Sequence, residues 1–262
     1  MRGLKDKTAI VTGGANGIGR AIMERLCQEG VAVTFGDMSD EGTAVQQECA
    51  AQGYAVHFVR GDLAEESFCR RLVDESVGRW GKLNFLVNNA FSFIAKAADA
   101  SREEWQRMMN VGPVGYATMA ACAAEAMKRQ GGGAIVNISS ISAHIAQPGR
   151  WTYNAAKGAV SQLTRCMALD LAAFNIRVNT VSPGWIWTRE VDKAASGDRA
   201  KWGPIWGKFH MLSRLGYTEE VAGPVAFLLS DDASFITAAE LMVDGGYLGM
   251  GPEGLGEASS FA

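Results

Sequence analysis

The sequence predicts an α/β fold, a doubly wound, seven-stranded parallel sheet with helices on both faces. Two observations carry this. Short β-branched apolar runs recur at Thr8 to Thr12, Val31 to Phe35, Ala55 to Val59, Leu83 to Val87, Ala134 to Ile138, Ile176 to Val181 and Leu241 to Val243. They lack the polar alternation of strands wet on one face, as strands buried on both sides of a parallel sheet do. Between them lie segments with apolar residues at three- and four-residue spacing: Gly19 to Glu29, Asp40 to Gln52, Glu65 to Arg79, Val114 to Lys128, Tyr153 to Ala173 and Glu219 to Ser230. That spacing is the pattern of helices covering a core. Strand and helix alternate, so the crossovers are helical and the sheet is parallel.

A chain of 262 residues can bury one large core, which predicts a single domain over 1–262. The stretch 249–262, rich in Gly, Ser and Ala, is expected to form a tail without regular structure. A net charge of −3 without a clustered basic surface excludes nucleic acid as a partner. No apolar run approaches the ~18 residues of a membrane span, and the first residues lack a signal region, so a cytoplasmic location without membrane contact is expected. Cys27, Cys49, Cys69, Cys122 and Cys166 lie far apart, form no C-x-x-C pair and are odd in number, which argues against disulfides and against a zinc site.

The first strand runs into Thr12-Gly13-Gly14-Ala15-Asn16-Gly17-Ile18-Gly19 and then a helix. Glycines in that context let backbone approach a pyrophosphate, while the helix N-terminus offers free N–H groups and partial positive charge. Asp37 follows the second strand, where a carboxylate accepts hydrogen bonds from adenosine ribose hydroxyls and repels a 2′-phosphate. With no Arg or Lys at Asn16 or Met38, the cofactor is expected to be NAD. Asp62, after the third strand, is placed either to reach the adenine or to start the next helix.

Tyr153 and Lys157 are four apart in a helical segment and therefore share one face. A phenol ionises near pH 10. An ammonium at ~4 Å, at an effective dielectric of about 20, attracts a phenolate by about 4 kcal/mol. The expected effect is a tyrosine pKa lowered by roughly two or three units, towards working pH. Tyrosine and lysine also meet on many solvated helix faces, so the pair alone does not make a site.

Thr12 to Gly19, Asn88-Asn89-Ala90, Ser140, Tyr153-x-x-x-Lys157 and Pro183-Gly184 together resemble the short-chain dehydrogenase/reductase family over nearly the whole chain, Thr8 to about Gly246. The resemblance implies a single NAD(P)-binding Rossmann-type catalytic domain. It implies that Ser140 hydrogen-bonds the substrate oxygen, that Tyr153 passes the proton, and that Lys157 lowers its pKa and holds the nicotinamide ribose. It also implies that Asn110 interrupts a helix and holds a water in the relay from Lys157. Cofactor contacts fall to Gly13, Asn16, Gly17, Ile18, Gly19, Asp37, Asp62, Leu63, Asn89, Ala90, Tyr153, Lys157, Pro183, Gly184, Ile186 and Thr188, with Asn88 supporting the sheet. Segment 188–215 becomes a substrate lid, and a homotetramer or homodimer forms through the helices holding Val114 to Lys128 and Tyr153 to Ala173. Two departures stand out: Phe91 where the family usually has Gly, and Thr237-Ala238 in place of the frequent Thr-Gly.

The candidate substrate residues are Phe91, Phe93, Ser140, His144, Trp151, Trp185 and Trp187, beyond the carboxyl ends of the strands. Trp202 and Trp206 add to an aromatic lid, which either stacks on substrate or packs on the domain. The segment Trp185 to Arg214 holds six Arg or Lys against three acids, which suits an anionic substrate or a solvated face equally. His144 and His210 are expected to be loop residues, and no cluster suggests a metal. The expected activity is reversible hydride transfer between NAD and a secondary alcohol, hemiacetal or ketone, preferably a sugar, polyol or small hydroxylated molecule. A 3-oxoacyl thioester reductase, a hydroxysteroid-type dehydrogenase and a non-catalytic NAD-sensing interaction protein are the alternatives.

Overall fold

Seven strands form one parallel sheet in a computed structural model that describes residues 1–255. In chain order the elements are β1 (Thr8–Thr12), α1 (Gly17–Gln28), β2 (Ala32–Asp37), α2 (Glu41–Ala51), β3 (Val56–Arg60), α3 (Glu66–Trp80), β4 (Phe85–Asn88), α4 (Arg102–Met109), α5 (Gly115–Arg129), β5 (Gly133–Ile138), α6 (Trp151–Leu171), β6 (Ile176–Pro183), α7 (Arg189–Ala194), α8 (Arg199–Gly207), α9 (Thr218–Leu229) and β7 (Glu240–Val243). The sheet order is β3-β2-β1-β4-β5-β6-β7. The order therefore reverses between β1 and β4, which pair through Ala9↔Phe85 and Val11↔Val87. A ligand of an open α/β sheet binds at that reversal, beyond the carboxyl ends of the strands.

Alternation along each strand feeds two cores, one on either face. Ala9 and Val11 join Phe35, Met23, Leu26, Val221 and Leu228 on the face covered by α1 and α9. Ile10 points the other way, with Leu86 and Ile135, into the core under α3, α5 and α6. Both faces of β1 are buried, which accounts for its unbroken apolar run.

The expected strands and six expected helices appear with ends shifted by at most two residues. Three further helices, α4, α7 and α8, were not anticipated. The first is fixed by a capping box: Ser101 accepts from the Glu104 N–H, and the Glu104 carboxylate accepts from the Ser101 N–H. After α4 the chain makes a π-turn, Asn110–Val114, whose one non-helical residue is Gly112 (φ −78°, ψ −113°). Pro113 is the cause, since its ring bars the helical conformation to the residue before it. The expected tail begins with a short 3₁₀ turn, Pro252–Leu255, and its remainder, 256–262, lies outside the described residues. No helix among the described residues is long and apolar enough to cross a membrane.

Candidate active site

At the sheet's reversal two cavities meet. The first, about 310 Å³, runs over the loop between β1 and α1 and is lined by Gly13, Asn16, Gly17, Ile18, Asp37, Asp62, Leu63, Asn89 and Ala90, among others. Gly17 has φ +56°, and a Cβ there would meet nothing nearer than Thr188 Cγ2 at 3.9 Å. Its missing side chain leaves the start of α1 open to the cavity. Asn16 makes no side-chain cap, so the first-turn N–H groups stay free for an anion. Gly19 serves packing instead: a Cβ would lie 2.0 Å from the Gly13 carbonyl. Asn89 braces this loop from the neighbouring strand, its amide donating to the Thr12 and Gly13 carbonyls at 3.0 and 3.1 Å. Asn88 is buried beneath, donating to Asn137 Oδ1 and the Tyr116 carbonyl.

The Asp37 carboxylate closes the far end of this cavity, accepting from the Ala15 and Ser39 N–H groups at 3.0 and 2.9 Å. Asp62 does both things left open for it: it lines the cavity and also caps its own turn through the Ala64 N–H. Arg107 stands in the same wall and was not anticipated. Asp62 pairs with it at 2.5 Å, and this hydrogen-bonded pairing, against the opposing effect of burial, holds the carboxyl below its ordinary range. The cation in this wall is thereby paired.

The second cavity, about 270 Å³, is walled by Phe91, Phe93, Ile138, Ser140, Ile141, Arg150, Tyr153, Lys157, Pro183, Gly184, Trp185 and Ile186, with others. Ile18, Asn89, Phe91, Thr188 and Glu190 line both cavities, so the two are continuous. Ser140 reaches the wall from the end of β5, its Oγ held by the Ser142 N–H at 3.1 Å. Ser139 faces away, donating to the Lys157 carbonyl at 3.0 Å. The loop bearing Phe91 and Phe93 is pinned to α6 by Thr152, whose hydroxyl donates to the Ile94 carbonyl and accepts from the Lys96 N–H.

Tyr153 and Lys157 do share a face of α6, yet their electrostatics differ from expectation. Burial raises the Tyr153 pKa above its ordinary value, with the Ser140 hydroxyl and the Arg150 charge acting the other way. Lys157 is buried, and desolvation lowers its own pKa to about 7. Its Nζ donates to the Ile138 carbonyl at 2.9 Å and lies 3.6 Å from the Phe91 ring centroid. An ammonium that titrates near neutrality and spends itself on a carbonyl and a ring gives the phenol little help.

Phe91 resolves the first departure by walling the site. Its ring packs edge-on against Tyr153 and Tyr116, at 5.7 and 6.2 Å between centroids, and fills the space in front of Gly112, where a Cβ would come within 2.7 Å of it. Asn110 stands where α4 gives way to the π-turn; it keeps helical angles and is exposed, while Gly112 two residues on takes the non-helical angles and faces the Phe91 ring.

Three expected substrate residues lie elsewhere. His144 is held outside by Glu240 at 2.8 Å, and Trp151 is 58% exposed. Trp187 lines a separate open groove of about 710 Å³ and stacks towards Trp206. Trp185 does reach the cavity, while Trp202 and Trp206 stack on each other at 4.9 Å behind it. Most charges of the 188–215 segment are consumed by acids: Arg189 by Glu41, Lys193 by Glu190, Arg199 by Asp192 and Arg214 by Glu220. Among the described residues no group of three or more His, Cys, Asp or Glu is placed to hold a metal. Arg107 and Gly112 carry no sequence signal of their own beyond the capping box that starts the helix of Arg107, and Arg150 falls in the loop before α6 that faces the carboxyl ends of the strands.

Residues 13–248 match the family model described as enoyl-(acyl carrier protein) reductase. The chain is 40% identical over 254 residues to a cyclopentanol dehydrogenase of Comamonas testosteroni, covering 94% of this chain and 99% of that protein. It is 36% identical over 249 residues to dehydrogenase/reductase SDR family member 4 of Oryctolagus cuniculus, covering 93% and 94%. The solved structure of a 7α-hydroxysteroid dehydrogenase complexed with NADH and 7-oxo glycochenodeoxycholic acid superimposes with a TM-score of 0.87 at 30% identity, covering 93% of this chain and 94% of that one.

Proposed function

The chain belongs to the short-chain dehydrogenase/reductase family and is an oxidoreductase of CH–OH groups, and from that premise we propose reversible hydride transfer between NAD and a small secondary ring alcohol or its ketone. One observation carries the reading: the glycine-rich cavity that ends at Asp37 continues, through Ile18, Asn89 and Thr188, into the cavity that holds Ser140, Tyr153 and Lys157. A dinucleotide laid along the first would bring its reactive end into the second.

A bound nicotinamide supplies the hydride acceptor or donor. Ser140 donates a hydrogen bond to the reacting oxygen. As the phenolate Tyr153 takes the alcohol proton in oxidation, and as the phenol it returns that proton in reduction. Lys157 would hold the ribose edge. Burial drives the two pKa values apart, the phenol upward and the ammonium down to about 7, so in the unliganded site it favours the neutral form of each group.

The lining of Phe91, Phe93, Ile138, Ile141, Trp185 and Ile186 favours an apolar ring bearing the hydroxyl, ahead of a sugar or polyol. The names of two relatives, a cyclopentanol and a hydroxysteroid dehydrogenase, lean the same way. Asp37 supports NAD, since ribose hydroxyls can donate to it and a 2′-phosphate meets a like charge that Arg107, paired to Asp62, does not offset. Assembly as a homotetramer through the outer faces of α5 and α6 is supported by Leu169, 79% exposed on α6.

The test is NADH formation by purified protein from cyclopentanol, cyclohexanol and a set of aldoses. Turnover with NAD well above NADP is expected, and Asp37→Ala should shift that ratio by about tenfold or more, like-charge juxtaposition costing several kcal/mol. No turnover across the set contradicts the activity, and an unchanged ratio contradicts the role of Asp37.

A further inference from the structure

The second cavity is apolar apart from a few groups, and one of them has no role in moving a proton. Arg150, immediately before α6, lines it with its guanidinium carbon 5.6 Å from the centroids of both Phe93 and Trp185. The other arginines lining the two cavities are each matched by an acid, Arg107 by Asp62 and Arg189 by Glu41. Glu190, in the same wall, is held by Lys193 at 2.8 Å. Among the described residues no carboxylate lies within ion-pair distance of Arg150, and no hydrogen bond uses its donors. It is half-buried, so its charge is partly desolvated without being paired.

Such an arrangement has a cost unless something completes it. A guanidinium over aromatic faces keeps its in-plane N–H donors available, and their fork matches the two oxygens of a carboxylate. The charge also acts on Tyr153, holding its pKa down against burial, so Arg150 lies within electrostatic reach of the reacting end. A cavity of about 270 Å³, roughly nine waters at about 30 Å³ each and shared with the nicotinamide edge, leaves room for a small substrate.

We propose that Arg150 binds a carboxylate of the substrate, which makes the substrate a hydroxy acid, a secondary alcohol on a small apolar ring that also carries a carboxylate. The inference rests on the dehydrogenase reading above. Oxidation transfers the carbinol hydrogen as hydride to NAD and the hydroxyl proton to Tyr153, giving the oxo acid; the carboxylate is unchanged and serves as the handle.

The test has a kinetic and a binding arm. With NAD, kcat/KM is measured for cis-4-hydroxycyclohexanecarboxylate and for cyclohexanol in wild type, Arg150→Met and Arg150→Lys. Removing the guanidinium also releases Tyr153 towards higher pKa and slows both substrates, so the readout is the ratio of acid to alcohol. That ratio should fall by about 30-fold or more in Arg150→Met, mainly through KM, with part recovered in Arg150→Lys. In the binding arm the holoenzyme with NADH is titrated with cyclohexanecarboxylate, which has no hydroxyl to react, and with its neutral carboxamide, following tryptophan fluorescence. Wild type should bind the carboxylate at least tenfold more tightly than Arg150→Met, and the carboxamide equally in both. Equal carboxylate binding by the two proteins, or an unchanged kinetic ratio, overturns the assignment of Arg150. Selective carboxylate binding without turnover leaves Arg150 in place and counts instead against the proposed reaction.

Discussion

Lys157 shows how a side chain that is easy to find can sit in an environment that is not. Its spacing from Tyr153 is local and survives in the folded helix. The ring that covers it comes from Phe91, 66 residues earlier, and the gap that the ring fills is opened by Gly112 on another element. Neither contact has a sequence period, so the desolvation of the ammonium was not legible. Arg150 is the same case, because nothing between Gly149 and Trp151 announces that its acid partner is missing. The buried charge also weakens the fold. The folded pKa of about 7 lies below the unfolded value near 10.5, so the cost is fully present below pH 7 and disappears as pH rises through 10.5. Lys157→Met should therefore stabilise the protein by about 1–3 kcal/mol in urea unfolding at pH 6, a gain that shrinks by pH 10, while activity is lost. Equal stability at pH 6 would mean that the ammonium is well solvated.

At the level of elements, the β-α-β alternation was readable because each strand is short, apolar and bounded by turns, and because α1, α3, α5, α6 and α9 each present a stripe to one of two cores. The helices that escaped notice lack such a stripe. α7 is six residues long, α8 contains Pro204, and neither buries more than a single residue. α4 was legible through Ser101 and Glu104 had the capping box been weighed. The second family departure becomes concrete here. Ala238 takes φ +57° in the turn before β7, a left-handed conformation that glycine adopts freely, while its N–H donates to the Val178 carbonyl at 2.8 Å. Ala238→Gly should relieve about 1 kcal/mol of strain and raise Tm by roughly 2–4 °C. A lower Tm would show that the methyl group packs usefully enough to offset the strain.

For the whole molecule, strand order does the decisive work. Reversal between β1 and β4 leaves the ends of β1, β2, β4, β5 and β6 facing one crevice, which brings Gly17, Asp37, Asn89, Ser140 and Pro183 to it from segments distributed over most of the chain. The outer face of α6 is a separate surface, and Leu169 there should be buried between subunits. Leu169→Glu is expected to reduce a tetramer to a smaller species in light scattering, and an unchanged mass would remove α6 from the interface. The most direct test of the central claim is a single-turnover measurement of NADH formation by wild type and Tyr153→Phe on the same secondary alcohol, with NADH binding measured in parallel. The account predicts that Tyr153→Phe binds NADH as wild type does and loses about 10²–10⁴ of the rate, the contribution of a positioned acid–base group. Hydride transfer at the wild-type rate in Tyr153→Phe would contradict it.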